Sequence, residues 1–122
     1  MHLSGAKLLI VDSDPSWREL LRDFFQMNSF QVTLAGSGID ALRALSLNPD
    51  LILLDLALPE MNGVALIREI HRMTPENTPP ILICGDGKLP SDLAPLVRFH
   101  TPKPASLELL LSEVSRALAS PK

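Results

Sequence analysis

Apolar and polar positions along this chain fall into blocks whose period switches between that of a strand and that of a helix. Leu8-Leu9-Ile10-Val11 is a short apolar run ended by Asp12-Ser13-Asp14-Pro15, the pattern of a strand running into a loop. Asp14 before Pro15 predicts an N-cap with proline at the first helical position. Trp17, Leu20, Leu21, Phe24 and Phe25 then recur at helical spacing, giving one apolar face through Met27. Phe30 to Leu34 alternates like a strand and is broken by Gly36-Ser37-Gly38. A second amphipathic helix carries Ile39, Ala41, Leu42 and Leu45 and closes near Asn48-Pro49. Leu51-Ile52-Leu53-Leu54 is continuously apolar, the mark of a strand covered on both faces, and it stops at Asp55. After Pro59 and Gly63 comes a helix with Val64, Ile67 and Ile70 inward. Ile81-Leu82-Ile83-Cys84 is a further buried strand, ended by Gly85-Asp86-Gly87.

The last third is less regular. Ser91 opens a helical pattern, but Pro95 inside it costs about 3 kcal/mol, so a stub is expected there. Arg98 to Thr101 predicts an edge strand. Ser106 caps a final helix with Leu107, Leu110, Leu111, Val114 and Leu118 inward. Five strands alternating with helices predict an α/β fold: a doubly wound, five-stranded parallel sheet of order 2-1-3-4-5, with helices on both faces and a shortened fourth helix.

Composition narrows the function. The 122 residues, 46% hydrophobic and 20% charged, suit one domain over 1–122 with a single core. Lys and Arg total 11 against 14 Asp and Glu, and no basic run occurs, which argues against direct nucleic-acid binding. No apolar stretch is long enough to span a bilayer. Met1–Ala6 lacks the cationic start of a secretory signal, and the one cysteine, Cys84, suits a reducing compartment; a cytoplasmic location is expected.

In a sheet of this kind ligands bind beyond the carboxyl ends of the strands. The residues ending the apolar runs are Asp12, Ser13 and Asp14 after the first, Asp55 after the third, and Gly85 and Asp86 after the fourth; Lys103 follows the fifth. Converging carboxylates repel unless a cation sits between them, and hard oxygen ligands suit Mg²⁺. A carboxylate beside Mg²⁺ and a lysine is a phosphoryl acceptor in chemical terms. Asp14 reads as a helix cap and Asp86, between two glycines, as a turn residue. Asp55 is followed by Leu-Ala-Leu and caps nothing, so it and Asp12 are the functional candidates. Cys84 reads as inert and buried, His71 as a surface helix residue and His2 as terminal; no two histidines have metal-ligand spacing.

In order and spacing, Leu-Leu-Ile-Val-Asp12, Asp50-Leu-Ile-Leu-Leu-Asp55, Leu58-Pro59-Glu60-Met61-Asn62-Gly63 and Lys103-Pro104 resemble the receiver domain of two-component response regulators, over almost the whole chain. The resemblance implies that a histidine kinase or phosphotransfer protein passes a phosphoryl group to Asp55, and that Lys103 contacts the phosphoryl oxygens. It implies Mg²⁺ held by the acidic pair after the first strand, by Asp55 and by the backbone carbonyl of Ala57. It also implies a downstream protein partner or a fused effector domain, and makes the Lys103–Pro104 bond a candidate cis peptide.

Four positions depart from that pattern. The second member of the acidic pair is Ser13, whose hydroxyl carries no charge, so weakened Mg²⁺ affinity is expected. The Thr or Ser that reports phosphorylation is Gly85, and the small residue after it is Asp86. The aromatic switch residue three before the lysine is His100. The usual switch thus lacks its first moving part. The expectation is a divergent receiver that accepts phosphate on Asp55 and signals by an atypical route. The alternative is a phosphorylation-independent interaction module. A third reading, a haloacid dehalogenase-type phosphatase with Asp12 as nucleophile and Asp14 as general acid, lacks a role for Asp55. Flavin binding lacks a phosphate-cradling loop after the first strand.

Overall fold

Lys7–Val11 (β1) leaves only its first residue exposed, as its unbroken apolar run requires of a strand covered on both faces. In the computed structural model, which describes residues 5–85, 88–101 and 106–119 (99–101 as backbone), β1 is an interior strand of a parallel sheet. Gln31–Ala35 (β2), Leu51–Leu54 (β3), Ile81–Cys84 (β4) and Val97–Thr101 (β5) complete it in the order β2-β1-β3-β4-β5. The register pairs Val11 with Ala35 on one side and with Leu54 on the other, so the three strands end level. That shared level decides where the polar residues just past them meet.

Four α-helices connect and flank the strands. Pro15–Met27 (α1) begins at Asp14, whose carboxylate accepts the amides of Ser16 and Trp17, with proline in the first turn. It ends at Asn28, whose side-chain amide donates to the Phe24 carbonyl (2.9 Å), before Ser29 turns left-handed at φ 70°. Gly38–Ala44 (α2) is capped by Ser37 and tightens into a 3₁₀ turn over Leu45–Leu47, which Asn48 closes at φ 55°. Gly63–Met73 (α3) is capped by Asn62, whose side chain accepts the Ala65 amide. Leu107–Ala119 (α4) starts after Ser106, whose hydroxyl accepts the Leu109 amide at 3.1 Å.

The expected stub between β4 and β5 is a six-residue 3₁₀ segment, Ser91–Leu96, containing Pro95. Proline supplies no amide to an α-helical ladder, and the tighter turn tolerates that loss here. Leu93 anchors the segment in the core, and the Arg68 guanidinium on α3 grips the Asp92 carboxylate at 2.6 Å. β5 is the expected edge strand, one residue longer than its sequence pattern, with a bulge opposite Ile81 and Leu82.

Alternate strand residues feed two separate cores. Leu9, Val11, Ile52, Leu54, Ile81 and Ile83 face α2, α3 and Leu93. Leu8, Ile10, Leu51, Leu53, Leu82 and Cys84 face α1 and α4, where Leu21, Phe25, Leu110, Val114 and Ala117 pack. Phe25 stacks edge-on against both Phe24 and Phe30 at 5.3 Å.

Two apolar positions assigned inward by periodicity lie outside: Leu20 is 48% and Ile39 46% exposed. Both sit at the margin of a helix stripe whose centre, Leu21 and Phe25 or Ala41, already fills the space over the sheet. Phe30 is buried but precedes β2, which starts at Gln31. No helix among the described residues is long and apolar enough to cross a membrane.

Candidate functional site

The level ends of β1 and β3 bring Asp12 and Asp55 side by side. Asp12 donates its amide to the Ala35 carbonyl (3.1 Å) and Asp55 donates its amide to the Val11 carbonyl (2.9 Å). Each carboxylate residue is thus the last rung of its strand, about 4.8 Å apart in strand spacing. They are 3% and 7% exposed, the two buried charged residues among those described. A backbone amide two residues on holds each carboxylate: Asp14 N–H donates to Asp12 Oδ1 and Ala57 N–H to Asp55 Oδ1, both at 2.9 Å. Two anions so close and so shielded from water repel, and a cation lodged between them relieves the repulsion.

Glycine lets the backbone crowd this pair at two points. A Cβ on Gly63 would lie 2.5 Å from the Leu56 Cα and 3.2 Å from the Asp55 carbonyl oxygen. Its amide meanwhile donates to the Leu56 carbonyl (2.8 Å), which folds the loop after Asp55 tightly back on itself. Gly85, at the end of β4, has φ 133°, a conformation side chains avoid, and a Cβ there would sit 3.0 Å from Asp55 Oδ1. The position expected to carry a switch hydroxyl is therefore backbone laid directly against the Asp55 carboxylate.

The other expected residues divide. Ser13 is exposed on the turn after β1, and Ala57 is exposed in the loop after β3. Asp14 is exposed and its carboxylate caps α1, as its sequence position suggested. His100 pairs in β5 with Ile83 through its backbone; its side chain, Asp86, Lys103, the Lys103–Pro104 bond and His2 lie outside the described residues. Cys84 is buried and His71 is on the exposed face of α3, its Nδ1 3.1 Å from the Thr78 hydroxyl.

No three His, Cys, Asp or Glu side chains converge on a metal position among the described residues. The donor set is instead two buried carboxylates, Asp12 and Asp55, beside a loop in which Ala57 is exposed. That set fits Mg²⁺, which takes one or two carboxylates, keeps several waters and completes its shell with phosphate oxygens. It does not fit zinc or another soft-ligand metal.

Arg18 and Gly36 had no signal in the sequence. The Arg18 Nη1 donates to the Asp12 carbonyl at 2.7 Å, across a gap left by the missing side chain of Gly36. An arginine four residues into an amphipathic helix reads as surface, and only the fold brings Gly36 beneath it. Two arginines of α3 each shift a carboxyl they pair with. Hydrogen bonding to Arg68 lowers the Asp92 carboxyl below its ordinary value, and Arg72 does the same for Glu69.

The chain matches the family model of the response regulator receiver domain over residues 8–96. It is 34% identical over 83 residues to a transcriptional regulatory protein CpxR homolog of Haemophilus influenzae, covering 68% of this chain and 36% of that protein. It is 33% identical over 116 residues to the response regulator MprA of Mycobacterium sp. (strain KMS), covering 92% of this chain and 50% of the relative. The chain thus spans half the length or less of these relatives. Among solved structures, the receiver domain of a signal transduction histidine kinase from Syntrophus aciditrophicus superposes with a TM-score of 0.80 at 31% identity, over 94% of this chain and 91% of that one. The chemotaxis response regulator CheY4 of Vibrio cholerae gives 0.81 at 26% identity, over 93% and 99%.

Proposed function

Because the chain belongs to the response regulator receiver domain family, we propose that Asp55 is its phosphoacceptor, taking a phosphoryl group from the histidine of a kinase or phosphotransfer protein. The observation that carries this is the buried pair Asp12 and Asp55 at the level ends of adjacent central strands. An Asp55 carboxylate oxygen attacks phosphorus, the new P–O bond forms, and the P–N bond breaks with its electron pair returning to the imidazole. Ala57 N–H holds Oδ1 of the attacking group in place, and Asp12 supplies the second fixed negative charge. Bound Mg²⁺ would neutralise charge on the transferring group; Asp12, Asp55 and the Ala57 carbonyl would hold it, with Ser13 adding at most a neutral hydroxyl. Lys103 would meet the phosphoryl oxygens.

The reading treats residues 1–122 as one receiver domain acting in the cytoplasm, with output through a protein partner or a fused effector domain. Transcriptional output, which the Haemophilus relative's name carries, would belong to such an effector. The domain is a signalling acceptor, its chemistry limited to its own phosphorylation and dephosphorylation. Gly85 and His100 make the output route atypical. At Gly85 the backbone itself lies against Asp55, with no side-chain hydroxyl to move. The phosphatase reading is not favoured: the Asp14 carboxylate it needs as a general acid is engaged as the cap of α1.

Incubation with acetyl phosphate or a phosphorylated kinase, followed by intact-mass measurement, tests the acceptor. A gain of one phosphoryl group, absent in Asp55→Asn, is expected. No Asp55-dependent gain in the presence of Mg²⁺ defeats the reading and leaves the interaction module in its place.

A further inference from the structure

We propose that Arg18 is a positioning residue for Asp12, seated by the missing side chain of Gly36, and that it sets the affinity of the acidic pair for a divalent cation; this rests on the metal role of Asp12 proposed above. Asp12 is the last rung of β1, so its amide is satisfied by Ala35 while its carbonyl projects past the end of the ladder. A carbonyl there needs a donor. Arg18 supplies one: Nη1 donates at 2.7 Å, a short bond of the charge-assisted kind. The guanidinium reaches it by lying over Gly36. A Cβ at that position would come within 2.8 Å of Nη1, 3.2 Å of Cζ and 3.5 Å of Nη2, so the group occupies the space a side chain there would take.

The turn is clamped from both sides. The Asp14 amide holds Asp12 Oδ1, and Arg18, whose own amide bonds the Asp14 carbonyl (3.0 Å), holds the Asp12 carbonyl. Fixing that peptide plane fixes the direction in which the Asp12 side chain leaves the backbone. With Ser13 beside it, Asp12 is the one carboxylate that the β1 end gives to the pair, so no neighbour compensates if it turns away. Second partners of this sort, which orient a ligand without touching the ion, commonly govern metal affinity by 10- to 100-fold, that is, by about one to two decades.

Charge alone predicts the opposite sign. A guanidinium near a divalent ion repels it, so if Arg18 were only a nearby cation, removing it would tighten binding. Mg²⁺ titration of the full chain, followed by Trp17 emission and by calorimetry, separates the two. Arg18→Met is expected to weaken Mg²⁺ about tenfold. Gly36→Ala, which keeps the cation but unseats it, is expected to match that loss, and Arg18→Lys, with one donor able to reach the carbonyl, to recover part of it. Unchanged or tighter binding in folded Arg18→Met, or wild-type binding in Gly36→Ala, overturns the proposal. Asp12→Asn marks the other failure: if it keeps wild-type affinity, or the wild-type chain shows no saturable response, the metal role of Asp12 falls and takes the positioning role with it.

Discussion

Placing threonine at position 85 would supply the hydroxyl that the family resemblance leads one to expect there, and the geometry predicts that it destabilises the fold. Gly85 has φ 133°, outside the regions open to a β-branched residue. Holding a side chain in so sparse a region costs on the order of 1–3 kcal/mol. The new Cβ would also lie 3.0 Å from Asp55 Oδ1 and 3.6 Å from its Cγ, tight enough that the carboxylate or the end of β4 has to shift. Overpacking of that size costs about 1 kcal/mol or more. The sum is roughly 2–4 kcal/mol, a large part of a typical stability of about 5–15. For 122 residues each kcal/mol moves the melting temperature by about 4 °C, so Gly85→Thr should melt roughly 8–16 °C below the parent. Gly85→Ala should lose nearly as much, because it shares both the backbone conformation and the Cβ. Repeating the alanine change in an Asp55→Ala background removes the contact but not the backbone penalty, so a double-mutant cycle assigns each part. Thermal and urea unfolding read all five proteins, the four corners of the cycle and the threonine variant. A loss below about 0.5 kcal/mol in Gly85→Ala would mean that the end of β4 relaxes freely into extended backbone, and the account of this position would be wrong.

Asp14→Ala should destabilise the chain by about 1 kcal/mol through loss of the α1 cap, yet leave Mg²⁺ affinity within about twofold; a large loss of metal binding would make Asp14 a ligand instead. The Arg68 pair holds the Asp92 carboxyl below its ordinary value. What it contributes is therefore present above the unfolded carboxyl's range and fades as pH falls through the folded one. In Arg68→Ala the Asp92 carboxyl should titrate at a higher pH by NMR, and amide exchange should quicken over Ser91–Leu96; an unmoved titration refutes the pairing.

Strand runs of Leu, Ile and Val bounded by polar residues made the sheet legible before any coordinates. Leu51–Leu54 has no polar face to mislead, so its burial, and the place of Asp55 at its end, could be read directly. Asp14 was equally plain, because aspartate before proline has a local reason to be there. Arg18 and Gly36 were not, since their contact joins the first turn of one helix to the residue after the second strand, and nothing local records that distance. The Gly85 conformation was hidden likewise: a glycine at a strand end says that positive φ is allowed, not that a carboxylate lies against it. Leu20 and Ile39 misled because periodicity marks a stripe but not its width.

The sheet divides the apolar interior into two slabs, and the curtailed crossover at Ser91–Leu96 touches just one of them. Leu93 contributes to the side of α2 and α3, while α1 and α4 close the opposite side without reference to it. The thinned side meets its counterpart only through the strands, whose alternate residues belong to each. A laminate built this way seats the acidic rim on strands that both slabs share.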